Sequence, residues 1–172
     1  MQKIKSYLAS RTLFHFTDQR NIPSIAQHGL LSVRQLADCA IHPEAPGGNQ
    51  WSHDADKRIG MDRYVHLCFF DQHPMEYRAR EAGRIAAATF LRVLPAVLDI
   101  PGVMFADDVA NKAGVIIRPL AEIDAHLDLD VIYTRLDWKD PAVRERLQQA
   151  RKYEILVPDH VPVALLRKPQ GG

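Results

Sequence analysis

The sequence is poor in cysteine, lacks long apolar runs and carries almost no net charge, and each shortage excludes a class of protein. Its two cysteines, Cys39 and Cys68, are too few for the disulfide framework of a small secreted domain. No segment approaches the roughly 18 consecutive apolar residues of a membrane-spanning helix. The first residues, MQKIKSYLASR, lack the long apolar core of a secretory signal. We therefore expect a reduced, cytoplasmic setting and no membrane association.

The net charge of +1 gives the whole molecule no strong field for a nucleic acid, although a local basic groove would be enough to bind one. Basic residues cluster in two segments, where nearby acids favour ordinary solvated helix faces. The sequence contains no internal repeat and no low-complexity segment. With 172 residues and 47% hydrophobic content, it is long enough for a domain with its own core. We predict a single domain over 1–172 with a core spanning about 12–166.

A histidine-containing segment, residues 13–32 (LFHFTDQRNIPSIAQHGLLS), is the most informative part of the sequence. Residues that favour β-structure predict a strand over 12–16, and the spacing of apolar residues predicts a helix over 22–28 that Gly29 closes. This places His15 at a strand–helix junction, where side chains and backbone N–H groups face a ligand and a helix start favours anions. A buried structural histidine between two phenylalanines is the competing interpretation.

Elsewhere the pattern predicts a mixed α+β domain. Apolar and β-branched runs predict strands over 64–70, 85–93, 103–106, 129–133, 153–157 and 161–166. Capping residues and helical spacing predict helices over 3–10, 33–39 and 120–126, and a further helix that Asp140 caps and Pro141 begins. The alanine run at 86–88 also suits a helix, so the second of these strands has a competing interpretation.

The longest irregular stretch covers residues 41–62. A loop of this length inside a compact domain is usually functional or disordered, and we interpret it as a substrate or cofactor loop. Arg58 and Arg63 close it. The planar guanidinium group of either arginine matches the oxygens of a diphosphate, and the sequence does not distinguish between the two.

An acidic residue, Glu154, lies in the apolar strand predicted over 153–157. A carboxylate in such a strand costs free energy unless it is paired or functional. A glutamate on an edge strand facing solvent is equally compatible with the two-residue alternation of side chains. The local pattern alone therefore leaves a functional and a structural interpretation open.

Short motifs follow one another along the chain. The first consists of His15, Phe16, Thr17, Asn21, Gly29, Leu30 and Leu31. The second consists of Tyr64, Val65, Phe69, Pro74, Met75 and Tyr77. The third consists of Phe105, Asp107 and Ala110, and the last is Glu154 after an arginine-rich helix, with Trp138 about one helix earlier. In this order they resemble the motifs of the DarT family, toxin ADP-ribosyltransferases that modify bases in single-stranded DNA.

The resemblance implies an α+β fold of the ADP-ribosyltransferase type, with a split, mostly antiparallel β-core and flanking helices. It implies NAD-dependent transfer of a single ADP-ribosyl group to a nucleobase of single-stranded DNA, with NAD as co-substrate and no metal. It also implies a toxin of a toxin–antitoxin or phage-defence system, for which a macrodomain antitoxin is the expected partner.

The resemblance further implies roles for individual residues. Glu154 would stabilise positive charge on the ribose of NAD and accept a proton from the attacking base, and Arg58 would be a second catalytic group. The residues implied to bind NAD are His15, Phe16, Thr17, Asn21, Gly29, Leu30, Arg58, Arg63, Tyr64, Phe69 and Met75.

Departures from the family pattern keep other functions open. These departures are His66 in place of Pro, Gln72 or His73 in place of Arg, Asp108 in place of Gly, and Val109 in place of a polar residue. The same fold could act on RNA, a nucleotide or a protein, or remove a 2′-phosphate from RNA. A non-catalytic module that binds NAD or nucleic acid is a further alternative. A zinc site could be drawn from Cys39, His42, His66 and Cys68, but their irregular spacing disfavours it.

Overall fold

Short apolar and β-branched segments form a seven-stranded sheet in the computed structural model of the chain, which describes residues 1–45, 59–72, 81, 83 and 87–167. The described strands, including a separate pair of short strands, are β1 (Leu13–Asp18), β2 (Leu30–Leu31), β3 (Tyr64–Cys68), β4 (Ala88–Val93), β5 (Met104–Ala106), β6 (Arg118–Pro119), β7 (Glu154–Pro158), β8 (His160–Val161) and β9 (Leu166–Arg167). The sheet order is β6-β5-β7-β3-β1-β4-β9, and β2 pairs with β8 separately. The pairings between these strands are antiparallel. This confirms the predicted mostly antiparallel core.

Helices flank the sheet, and polar side chains cap several of them. They are α1 (Gln2–Leu8), α2 (Ile22–His28), α3 (Val33–Asp38), α4 (Ile123–His126), α5 (Leu129–Tyr133) and α6 (Pro141–Ala150). The Ser32 hydroxyl caps α3 and, as predicted, the Asp140 carboxylate caps α6, each accepting a hydrogen bond from a first-turn N–H group. None of the helices in the described ranges is long and apolar enough to cross a membrane.

Two of the predicted strands are wrong in whole or in part. Residues 129–133 form α5, because the Asp128 carboxylate accepts a hydrogen bond from the Val131 N–H group and so stabilises a helix start. The predicted strand 161–166 is interrupted by a 3₁₀ turn at Val163–Leu165, since the proline before this turn lacks the N–H donor that a ladder needs. The first strand is longer than predicted, so its histidine lies within β1 and not at its end.

The two faces of the sheet carry different cores. One face packs against the helices and holds the main core, in which Leu67, Phe105 and Ile155 are fully buried. Burial of each such side chain contributes about 1.5–3 kcal/mol. The opposite face holds a smaller cluster around Ala106 and Leu156. Alternation along β7 therefore places Leu156 on the smaller cluster's face, together with Glu154, which is two residues away.

The turn after α2 is fixed by close backbone packing. Gly29 has φ 77° and ψ −167°, a region that is essentially restricted to glycine. A Cβ atom there would lie 2.3 Å from the Val161 carbonyl oxygen and 2.7 Å from His160 Nε2. The same imidazole nitrogen lies 2.9 Å from the His28 carbonyl oxygen, and Leu30 pairs with Val161. The close approach joins α2 to the segment that follows β7.

Candidate active site

The sheet opens between β1 and β3, and an imidazole spans the opening. The two strands pair at Phe14 and Cys68. Beyond this pair, β1 is hydrogen-bonded along its length to β4, while β3 is hydrogen-bonded to β7. Within the described strands, β1 and β3 form no further pair beyond this point. His15 Nδ1 lies 3.0 Å from the His66 carbonyl oxygen. The imidazole therefore donates through Nδ1 to the backbone of β3, which assigns Nε2 as the acceptor in the neutral ring.

The environment of His15 keeps its ring neutral at pH 7. Burial lowers the pKa of this imidazole, and the nearby His66 ring lowers it further against the opposing effect of the hydrogen bond to the backbone carbonyl. The ring of Phe16 stacks beside it at a centroid distance of 6.3 Å. A neutral, oriented imidazole at the edge of an opening is suited to accept a hydrogen bond from a hydroxyl or amino group of a ligand.

The carboxylate of Glu154 is buried across β3 from this opening. Glu154 begins β7, pairs with Cys68 on one side and Ala106 on the other, and is 3% exposed. Its Oε2 accepts hydrogen bonds from His66 Nδ1 at 2.9 Å and from the Ala110 N–H at 3.1 Å. A solvent-facing glutamate on an edge strand is therefore excluded. Two donors held by different elements instead fix one oxygen of a buried anion.

Sequence reasoning missed the part that His66 plays. Its side chain is 30% exposed. The ring lies on the same face of the sheet as Glu154, because His66 and Glu154 are diagonal neighbours in the pairing of β3 with β7. A signal was present in the sequence: His66 is an imidazole in an otherwise apolar strand, two residues before Cys68. Its partner could not be read from the sequence, because the contact spans 88 positions of the chain.

The buried thiol of Cys68 lies beside this carboxylate and stays protonated. Burial, followed by the charge of Glu154, raises the pKa of Cys68 to about 12. Its sulfur donates to the backbone carbonyl of Phe70 at 3.2 Å. In the described part of the chain no group of three or more His, Cys, Asp or Glu side chains is arranged to hold a metal ion.

An open cavity of about 430 Å³ lies beside the loop after β5. One of its lining residues, Ala110, also donates its backbone N–H group to the Glu154 carboxylate. Its lining is mainly apolar, with one cation, Lys112, that is paired with Asp108. The lining residues are Ile59, Met61, Ala110, Asn111, Lys112, Ala113, Gly114, Val115 and Ile117.

Two other predicted NAD ligands, Thr17 and Asn21, meet at the start of the predicted loop 41–62. The Asn21 amide donates to Thr17 Oγ1 at 3.1 Å and to the Ala45 carbonyl at 2.7 Å, and its oxygen accepts from the Ala45 N–H at 3.1 Å. Asn21 thus holds both backbone groups of a buried loop residue. This is a structural role, and contact of Asn21 with NAD stays a prediction.

We expect Asn21→Ala to lower the free energy of unfolding by about 2–4 kcal/mol, because the buried N–H and C=O groups of Ala45 would lose their partners. Urea denaturation measures the change. Gln19→Ala, on an exposed residue of the same turn, is the control and should change stability by less than about 0.5 kcal/mol. Equal stabilities for the two variants would contradict the structural role.

The remaining predicted site residues are distributed between the opening and the cores. Arg63 is exposed, and its guanidinium lies 5.7 Å from the ring centroid of Tyr64 at the start of β3. Phe69 lies in the main core, in edge-to-face contact with Tyr133 and Tyr153. The pairing of Leu30 with β8 and the packing of Gly29 give both residues structural roles. Arg58, Met75 and positions 46–57 of the predicted loop lie outside the described residues.

Comparison with known proteins identifies similar sequences and structures. The family model described as "DarT: ssDNA thymidine ADP-ribosyltransferase, DarT" matches residues 14–168. No curated protein sequence matches the chain. Thermus sp. 2.9 DarT in complex with ADP-ribosylated ssDNA aligns with a TM-score of 0.68 and 19% identity, covering 92% of this chain and 79% of that one. The NAD+ complex of the same protein aligns with a TM-score of 0.60 and 23% identity, covering 91% and 79%.

A further similar structure is much longer than this chain. Thermosipho africanus DarTG in complex with ADP-ribose aligns with a TM-score of 0.66 and 18% identity, covering 91% of this chain and 42% of that one. At these identities the structural likeness establishes the fold, and the match to the family model extends over most of the sequence.

Proposed function

We propose that this chain, which belongs to the DarT family, transfers a single ADP-ribosyl group from NAD to a thymidine base of single-stranded DNA. The observation that supports this most directly is the buried carboxylate of Glu154, which donors from His66 and from the Ala110 backbone hold in place. The bond that breaks is glycosidic, so the reaction is a pentosyl transfer and not a nucleotidyl transfer.

Glu154 is the proposed catalytic residue. When bound, NAD supplies an ADP-ribosyl group whose ribose gains positive charge as its bond to nicotinamide lengthens. A fixed carboxylate stabilises such charge and can hold a ribose hydroxyl. It can also accept the proton that the attacking base nitrogen loses. Because donors on β3 and on the loop after β5 already orient the Glu154 carboxylate, little reorganisation is required during the reaction.

The opening between β1 and β3 is the proposed NAD site. The neutral His15 imidazole presents Nε2 as an acceptor for a ribose hydroxyl or an adenine amino group. Arg58 and Arg63 remain the candidates for the diphosphate, and Arg58 is also a proposed catalytic group. The other residues proposed to contact NAD, without an individual role, are Phe16, Thr17, Asn21, Gly29, Leu30, Tyr64, Phe69 and Met75.

The wider biological role is also a proposal. We infer a toxin of a toxin–antitoxin or phage-defence system that acts in the cytoplasm as one domain over residues 1–172. An enzyme that modifies DNA bases would harm its own host, so a second protein must limit or reverse the modification. A macrodomain antitoxin that removes ADP-ribose is the partner that the family resemblance implies.

The test is transfer of label from NAD to a panel of acceptors. Purified protein is incubated with labelled NAD and with single-stranded DNA, duplex DNA, RNA or a protein extract, and Glu154→Gln is the control, with a strongly reduced rate expected. A single-stranded DNA in which every thymidine is replaced tests the base. We expect label on the thymidine-containing single strand alone. Label on RNA or protein would replace the proposed acceptor, and NAD binding without any transfer would favour a binding module.

A further inference from the structure

We propose that His66 is a positioning residue for the Glu154 carboxylate. The proposal rests on the proposed function, since it assigns His66 a part in the same ADP-ribosyl transfer. His66 Nδ1 lies 2.9 Å from Glu154 Oε2. The glutamate side chain is 4% exposed and that of the histidine 30%, so the contact joins a buried anion to a group at the surface of the site.

The strand register fixes where the imidazole can reach. Cys68 and Glu154 are direct partners in the β3–β7 ladder, and His66 pairs with Leu156. Side chains of direct partners and of residues two positions away lie on one face of a sheet. His66 therefore meets Glu154 diagonally. Its position does not depend on a loop, because both residues belong to central strands of the sheet.

A second donor makes the arrangement directional. The Ala110 N–H lies 3.1 Å from the same Oε2, and it comes from the loop after β5 and not from β3. Donors from two elements therefore restrain the position of this carboxylate oxygen. The backbone donor cannot be removed by changing a side chain, so His66 is the member of this pair that substitution can test.

The backbone of His66 also connects Glu154 to the proposed NAD site. The carbonyl of His66 accepts the hydrogen bond from His15 Nδ1 at 3.0 Å, while its side chain donates to Glu154. A displacement of β3 at this residue would therefore change the position of His15 relative to Glu154. A misplacement of about 1 Å can lower an enzymatic rate by about 100-fold, which sets the scale of the expected effect.

The experiment compares three substitutions of His66 in the complete chain. His66→Phe keeps a ring and removes the donor, His66→Asn places an amide N–H near the position of Nδ1, and His66→Gln carries its amide beyond that position. We expect kcat for transfer from NAD to fall by about 10–100-fold in the Phe and Gln variants, with KM for NAD changed by less than about 3-fold. The Asn variant should recover to within about 5-fold of the wild type.

A double-mutant cycle separates positioning from a merely structural role. In the Glu154→Gln background, whose rate is expected to be about 10²–10³-fold below that of the wild type, His66→Phe should lower the rate by no more than a further factor of about 2, because its effect acts through the carboxylate. Full additivity, or equal rates for the Asn and Gln variants, would overturn the proposal. These two polar variants keep the comparison valid if the Phe variant does not fold. Lack of transfer by the wild-type protein would instead reject the proposed function.

Discussion

Glu154→Gln is expected to lower the rate of ADP-ribosyl transfer to single-stranded DNA by about 10²–10³-fold, the range typical of losing a group that stabilises transition-state charge. The substitution removes the negative charge and keeps the shape of the side chain. Both donors described above converge on a single oxygen, and the oxygen of a glutamine amide can accept from the same two groups. The fold should therefore be retained while the chemistry is lost.

The control for this prediction is the same chemical change at an exposed position. Glu145 lies on the exposed part of α6, so Glu145→Gln should leave the transfer rate within about 2-fold of the wild type, as surface substitutions away from special features usually do. Initial rates with labelled NAD and thermal denaturation are measured for both variants. Retention of more than a tenth of the wild-type rate by Glu154→Gln would remove this residue from the catalytic assignment.

Gly29→Ala should lower the free energy of unfolding by about 2–5 kcal/mol, the sum of a backbone term and an overpacking term. The φ of 77° and ψ of −167° define a conformation that alanine adopts only with strain. In addition, the new methyl group would lie 2.3 Å from the Val161 carbonyl oxygen. The peptide of Val161 would have to move, and with it the pairing of β2 and β8.

Gly60→Ala is the matched control for this effect. Gly60 has φ 73° and ψ 18°, and none of the described residues lies within 4 Å of its added Cβ. We therefore expect a left-handed backbone penalty of about 1–2 kcal/mol. The difference between the two variants in urea denaturation measures the packing term together with the additional backbone strain of the Gly29 conformation. If Gly29→Ala weakened NAD binding and left stability unchanged, Gly29 would be a ligand contact and not a packing residue.

Features encoded by neighbouring residues could be predicted from the sequence. The helix at Pro141–Ala150 begins where an aspartate cap precedes a proline, and both signals act within one turn. The helix after Asn21 ends at Gly29 as predicted, although the close approach of Val161, far along the chain, adds a requirement for glycine that the local sequence did not show. The antiparallel, split type of the sheet came from the family resemblance. The alternation of side chains in β7 brought Glu154 to attention, but it left the environment of the carboxylate undetermined.

Features that depend on distant residues could not be predicted. The helix at Leu129–Tyr133 is an exception, because its strand-like composition was overridden by a local cap, Asp128, which directly precedes it in the sequence. The contact of Asn21 with Ala45 spans 24 positions. That of His66 with Glu154 depends on the register of two strands that are far apart in the chain. Register is set by the whole sheet, and a shift of one residue would have turned the imidazole to the other face.

The central place of β7 has a consequence for synthesis of the protein. In the sheet order β6-β5-β7-β3-β1-β4-β9, the strand β7 (Glu154–Pro158) lies between two groups of strands, β6-β5 and β3-β1-β4-β9. Every strand of these two groups except β9 precedes β7 in the chain. Until the ribosome has released this segment, each group has an unpaired edge and the nascent chain lacks its carboxylate. Non-local pairing of this kind forms late in folding. With Glu154 as the proposed catalytic residue, we expect the growing polypeptide to be inactive until β7 has joined the sheet.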